Sequence, residues 1–96
     1  MENLVNYNAD LLKRFYNKKT VLITGITGFK GSWLGLILKQ FGANVIGYSL
    51  KPQSDNDLFI KSNLKDKINY NYYDDIKDID KLKQVFNTHQ PEIVFH

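Results

Sequence analysis

The stretch Thr20-Val21-Leu22-Ile23-Thr24-Gly25-Ile26-Thr27-Gly28-Phe29-Lys30-Gly31-Ser32 carries the reading of the whole chain. Thr20 to Thr24 is a continuous β-branched apolar run, the composition of a strand buried on both faces of a parallel sheet. Glycines 25, 28 and 31 follow as G-x-x-G-x-x-G. From Ser32 to Phe41, Leu34, Ile37, Leu38 and Phe41 recur at i, i+3, i+4 and i+7, one face of a helix. Gly42 then falls where a left-handed C-terminal cap belongs. Between a buried strand and an amphipathic helix, three glycines have distinct mechanical uses. The first permits the tight turn, the second lets backbone approach a pyrophosphate, and the third lets helix pack on strand. The free N–H groups of the helix start then meet phosphate oxygens. The plain alternative is a tight strand-to-helix turn that binds nothing. A phosphate-loop NTPase is excluded by order: that motif needs Gly-Lys-Ser/Thr, and here the residues run Lys30-Gly31-Ser32.

Outward from this turn, strands and helices alternate. Asn8 to Tyr16 reads as a short leading helix closed by Lys18-Lys19. Asn44 to Ser49 is a second strand, ended by Lys51-Pro52. Asp55 is a candidate cap for a short helix through Lys61, and Ile68 to Tyr73 is a third strand. Asp78 caps a helix bearing Ile79, Leu82, Val85 and Phe86, which stops before Pro91. Glu92 to His96 begins a fourth strand. The pattern predicts an α/β fold of right-handed β–α–β units, a partial Rossmann (doubly wound parallel) sheet in order 3-2-1-4 with helices on both faces. Residues 1–17 form an N-terminal extension and 18–96 the first part of a dinucleotide-binding domain. A chain ending inside its fourth strand is expected to be a piece of a longer protein, and the piece alone is expected to pair or aggregate through its raw edge.

Composition narrows the class. At 96 residues there is room for one modest core, and 43% hydrophobic with 24% charged residues is globular. Without cysteine there are no disulfides, thiolate metal sites or cysteine nucleophiles. The net charge of +3 comes from scattered lysines with one arginine, Arg14, so no nucleic-acid stripe is expected. No apolar run approaches the ~20 residues of a membrane span. The first ten residues carry Glu2 and Asp10 and no apolar signal core, and the expected location is the cytoplasm.

Dinucleotide folds usually place Asp or Glu at the end of the second strand, on the adenosine ribose. Here Ser49, Leu50 and Lys51 stand there; a serine can bond a ribose hydroxyl and Lys51 can face a 2′-phosphate, so these residues leave NAD and NADP both open. Asp75-Ile76, past the third strand, is placed to meet an adenine, with Asp74/Asp75 also a candidate acid–base pair and solvated turn residues the plain alternative. Lys30 in the first helical turn opposes the helix dipole, which a bound phosphate would offset. Tyr73 and Lys77 match Tyr-x-x-x-Lys, but strand and turn separate them and the pairing needs one helical face. His89 and His96 lack metal-ligand partners in sequence, so no metal site is expected.

Gly25-Ile26-Thr27-Gly28-Phe29-Lys30-Gly31-Ser32-Trp33-Leu34 resembles the signature of the CDP-glucose 4,6-dehydratases of the extended short-chain dehydrogenase/reductase family. Gly47-Tyr48-Ser49-Leu50, Leu58-Phe59, Asp75-Ile76-Lys77-Asp78 and Pro91-Glu92-Ile93-Val94-Phe95-His96 agree in the same register over residues 15–96. Ile26 stands where that family commonly has histidine. The resemblance implies a held NAD, oxidation of a hexose C4 hydroxyl, elimination of water across C5–C6 and return of the hydride to C6. It implies that Gly25, Thr27, Gly28, Phe29, Lys30 and Gly31 lie along the pyrophosphate, Ser49 near the ribose, and Asp75 and Ile76 about the adenine. It also implies a CDP-glucose substrate, catalytic residues beyond the fourth strand, and a homodimer formed through regions outside these residues. Other dehydratases or epimerases of the extended family, and a non-catalytic dinucleotide sensor, are the alternatives.

Overall fold

The computed structural model describes the backbone of residues 2–96 and side chains from residue 9 onward. Residue 1 and the side chains of the first helical turns, part of the expected 1–17 extension, lie outside the described residues. The elements run α1 (Glu2–Tyr16), β1 (Thr20–Thr24), α2 (Phe29–Gln40), β2 (Asn44–Ser49), α3 (Leu58–Lys61), α4 (Leu64–Lys67), β3 (Tyr70–Tyr73), α5 (Ile79–His89) and β4 (Ile93–Phe95). The sheet is all parallel in order β3-β2-β1-β4, as the alternation predicts. Strand direction therefore brings the ends of all four strands, Thr24, Ser49, Tyr73 and Phe95, to one edge.

Side-chain alternation along the strands builds two cores. On one face Val21, Ile23 and Val45 pack with Ile26, Leu38, Phe59, Leu64 and Ile68. On the other, Leu22, Ile46 and Tyr48 pack against Val85 of α5. Burying each such aliphatic side chain contributes about 1.5–3 kcal/mol, most of it offset by conformational entropy.

The face that α2 turns inward differs from the expected stripe. Its buried residues are Ser32, Gly35 and Leu38, whereas Ile37 is 41% exposed and Leu34 and Phe41 are half-buried. Small residues set the closest approach: a Cβ on Gly35 would sit 3.1 Å from Leu64 and 3.3 Å from Ile26. Bulk apolar periodicity therefore points about one residue away from the true contact line. α2 also starts at Phe29, ahead of the expected Ser32, since Gly28 already takes the cap position.

Elsewhere, boundaries shift for local reasons. The helix expected from Asp55 through Lys61 is the single turn α3, which starts later because Asp57 rather than Asp55 holds the cap and ends at Lys61 as expected; a second turn, α4, follows a left-handed Asn63 (φ 55°). Ile68 caps α4 and enters the core, so β3 starts at Tyr70. The leading helix begins at Glu2, earlier than Asn8, and ends at a left-handed Lys18 (φ 64°). Among the described residues no helix is long and apolar enough to cross a membrane.

Candidate functional site

At the edge where the strands end, the glycine turn is built by three different constraints. Gly25 has φ 68°, the left-handed region that favours glycine. Its N–H donates to the Tyr48 carbonyl at 3.1 Å, so the turn leaves β1 still laddered to β2. A Cβ on Gly31 would lie 2.3 Å from the Gly25 carbonyl oxygen and 2.9 Å from the Ile26 Cα, which no side chain tolerates. Ser32, fully buried, donates its hydroxyl to the Ile26 carbonyl at 2.8 Å and stitches α2 to the turn.

Gly28 is different. It has ordinary extended backbone (φ −74°, ψ 167°), and a Cβ there would meet only the Gly25 carbonyl at 3.4 Å, an ordinary contact. Packing within the chain thus gives no reason for glycine at 28; its bare backbone lines a cleft. Gly28 caps α2 by accepting the Ser32 N–H at 2.8 Å, with no side-chain cap and no acid in the first turn. The first-turn amides of Phe29, Lys30 and Gly31 accordingly have no helical carbonyl to donate to, and no first-turn carboxylate answers the positive helix end.

The cleft, about 780 Å³, runs along the ends of β1, β2 and β3 and is bordered by the end of β4. Of the residues singled out in the sequence it gathers Gly25, Thr27, Gly28, Phe29, Ser49, Asp75 and Ile76. Lys30 and Gly31 stand behind it, in the first turn of α2. The position matches the crevice at a topological switch point, where doubly wound sheets bind ligands.

Hydrogen bonds tie the rims of the cleft together. Ser49 is 8% exposed; its hydroxyl donates to Thr27 Oγ1 at 3.0 Å and accepts the Thr27 N–H at 3.3 Å. Thr27 in turn donates to the Leu50 carbonyl at 3.0 Å. The Ser49 hydroxyl is thus engaged in pinning the glycine turn to the end of β2. On the other rim, buried Tyr48 donates its phenol to the Asp75 carbonyl at 3.0 Å. Burial, and then the charges of Asp74, Asp78 and Asp75, raise the Tyr48 phenol above 10.0, so it stays a neutral donor at ordinary pH. The Asp75 carboxylate accepts the Lys77 N–H at 2.9 Å, which closes the turn that presents Ile76.

Several cleft residues escaped the sequence reading. Asn56, Asp57 and Leu58 enter through the loop after β2, whose path no periodicity encodes. His96 also lines the cleft, with Nδ1 2.7 Å from Thr24 Oγ1. A signal for it existed: order 3-2-1-4 puts the end of β4 beside the end of β1. His89 instead bonds the Tyr72 hydroxyl at 2.7 Å and lies against Tyr70, away from the cleft. Tyr73 sits in β3 and Lys77 in the turn before α5, so the two do not share a helical face.

Comparison with known proteins agrees with this geometry. The family described as GDP-mannose 4,6 dehydratase matches residues 22–96. The chain is 44% identical over 84 residues to a CDP-glucose 4,6-dehydratase of Salmonella typhimurium, covering 88% of this chain and 23% of that protein. It is 32% identical to GDP-mannose 4,6 dehydratase 2 of Caenorhabditis elegans, covering 88% of this chain and 24% of that one. Among solved structures, an epimerase of Methanothermobacter thermautotrophicus superposes with a TM-score of 0.68 at 34% identity, over 88% of this chain and 24% of the epimerase. The chain therefore spans about a quarter of the length of the curated relatives it matches.

Proposed function

The chain belongs to the GDP-mannose 4,6 dehydratase family of nucleotide-sugar 4,6-dehydratases, and from that premise we propose that its cleft holds NAD in a protein converting CDP-glucose to CDP-4-keto-6-deoxyglucose. The observation that carries the cofactor reading is Gly28, a glycine that internal packing does not need, open on a cleft beside unpaired helix-start amides. That is the cradle a pyrophosphate fits. In this reading the amides of Phe29, Lys30 and Gly31 meet the phosphates, Gly25 and Gly28 leave them room, and Lys30 adds a cation behind. Thr27 and Ser49 hold the turn at the ribose end, and Asp75 and Ile76 border the adenine. NAD, when bound, supplies a hydride acceptor; what this chain contributes is binding and orientation.

The substrate reading rests on similarity. Identity to the CDP-glucose enzyme, 44%, exceeds the 32% and 33% to two GDP-mannose enzymes. Residues beyond 96 then provide the sugar-nucleotide contacts, the proton-transfer groups and the dimer contacts. The test is to incubate the complete protein with NAD and, separately, CDP-glucose, GDP-mannose and dTDP-glucose, and to follow each by mass spectrometry. Loss of one water from CDP-glucose alone supports the proposal. Loss from GDP-mannose or dTDP-glucose instead reassigns the substrate, and no loss from any of them refutes the dehydratase reading.

A further inference from the structure

On the dinucleotide reading above, we infer that Tyr48 is a positioning residue: its phenol fixes the turn that borders the adenine against the end of β2, and so sets the affinity for the adenosine half of the cofactor. That turn, Asp75-Ile76-Lys77-Asp78, joins β3 to α5 and carries Ile76, 39% exposed, at the cleft. It is closed from within. The Asp78 N–H donates to the Asp75 carbonyl at 2.9 Å, and the Lys77 N–H donates to the Asp75 carboxylate at 2.9 Å. These bonds fix the shape of the turn but leave its distance from the sheet open.

The tie to the sheet comes from one side chain. The β2–β3 ladder ends where the Asp74 N–H donates to the Ser49 carbonyl at 3.0 Å. Past that rung, among the described residues, one hydrogen bond joins residues 75–78 to the sheet: the Tyr48 phenol donates to the Asp75 carbonyl at 3.0 Å. The next anchor is apolar, Leu82 and Val85 of α5 on the second core, a full helical turn beyond Asp78. With both lone pairs of its carbonyl taken, Asp75 is held from the helix side and the strand side at once.

The core itself does not call for the hydroxyl. The Tyr48 ring is fully buried with Leu22, Ile46 and Val85, and a phenylalanine ring fills the same space. Burying a hydroxyl is unfavourable unless it finds a partner, and the partner here is the turn. Burial and the charges of Asp74, Asp78 and Asp75 keep the phenol protonated, and therefore a donor, at neutral pH.

Calorimetric titration of NAD and of 5′-AMP into the complete protein and its Tyr48→Phe and Ile46→Val variants tests this. Ile46 lies in the same core and makes no hydrogen bond to the turn, and Ile46→Val should lose a comparable amount of stability. Tyr48→Phe should weaken both ligands about fivefold, the worth of one hydrogen bond. Ile46→Val should leave both affinities unchanged. Affinities unmoved by Tyr48→Phe overturn the inference, and so does an equal loss in Ile46→Val, which would mark a general loosening of the core. In either case the dinucleotide reading stands, because the parent binds NAD and 5′-AMP. A parent that binds neither overturns both.

Discussion

Replacing Gly31 and Gly28 one at a time by alanine separates what the glycine turn owes to folding from what it owes to a ligand. At Gly31 the new Cβ would lie 2.3 Å from the Gly25 carbonyl oxygen, against a lower limit of 3.0 Å for real Cβ contacts. The obstructing atoms are backbone, and the Ser32–Ile26 hydrogen bond at 2.8 Å fixes the helix against them. The start of α2 must therefore retreat by about 0.7 Å in an interior packed without free volume. Overpacking of this kind costs about 1–3 kcal/mol, and a backbone clash belongs at the upper end. Against about 5–14 kcal/mol of total stability for a domain this size, that is a large loss. At about 4–8 °C per kcal/mol, Gly31→Ala should melt about 10–20 °C early. Gly28→Ala meets one ordinary contact at 3.4 Å with φ −74°, so its stability should be unchanged or up to about 1 kcal/mol higher. Thermal melts by circular dichroism, with urea unfolding as a check, read both. Equal melting temperatures for the two variants would refute the division of labour, as would Gly28→Ala being the less stable.

Two further perturbations probe the bonds that hold the cleft in shape. Tyr48→Phe removes the donor to the Asp75 carbonyl and should cost about 1 kcal/mol at neutral pH. Since the folded phenol titrates above its ordinary 10.0, the stability it confers is complete below about pH 10 and declines as pH rises towards the folded value. Tyr48→Phe should accordingly flatten that alkaline decline in urea unfolding measured from pH 8 to 11; a decline as steep as in the parent would contradict the assignment. Ser32→Ala leaves the buried Ile26 carbonyl without the hydroxyl it accepts, and about 1–3 kcal/mol should be lost by the same assay. A loss below about 0.5 kcal/mol would mean that bond contributes little.

Strand identity and order were legible because apolar runs such as Val21-Leu22-Ile23 and Val45-Ile46 have one stable use in an α/β chain, and β–α–β handedness then sets the sheet. The glycine turn was legible as well, because glycine spacing reports backbone geometry directly. What stayed hidden depends on three-dimensional contact. The inward face of α2 follows Ser32 and Gly35, which a search for bulky side chains passes over. The engagement of Ser49 by Thr27 joins residues 22 positions apart, and no local pattern announces it. The loop from Lys51 to Leu58 has no periodicity, yet it supplies one wall of the cleft.

If the bare backbone at Gly28 serves to admit a dinucleotide phosphate, calorimetric titration with NAD should separate the chain from its Gly28→Val variant. Saturable one-to-one binding is expected of the parent, with its loss in a variant that melts within a few degrees of it, about 4–8 °C corresponding to 1 kcal/mol. A folded parent that gives no heat with NAD, or a Gly28→Val chain that binds NAD as tightly as the parent, would contradict it.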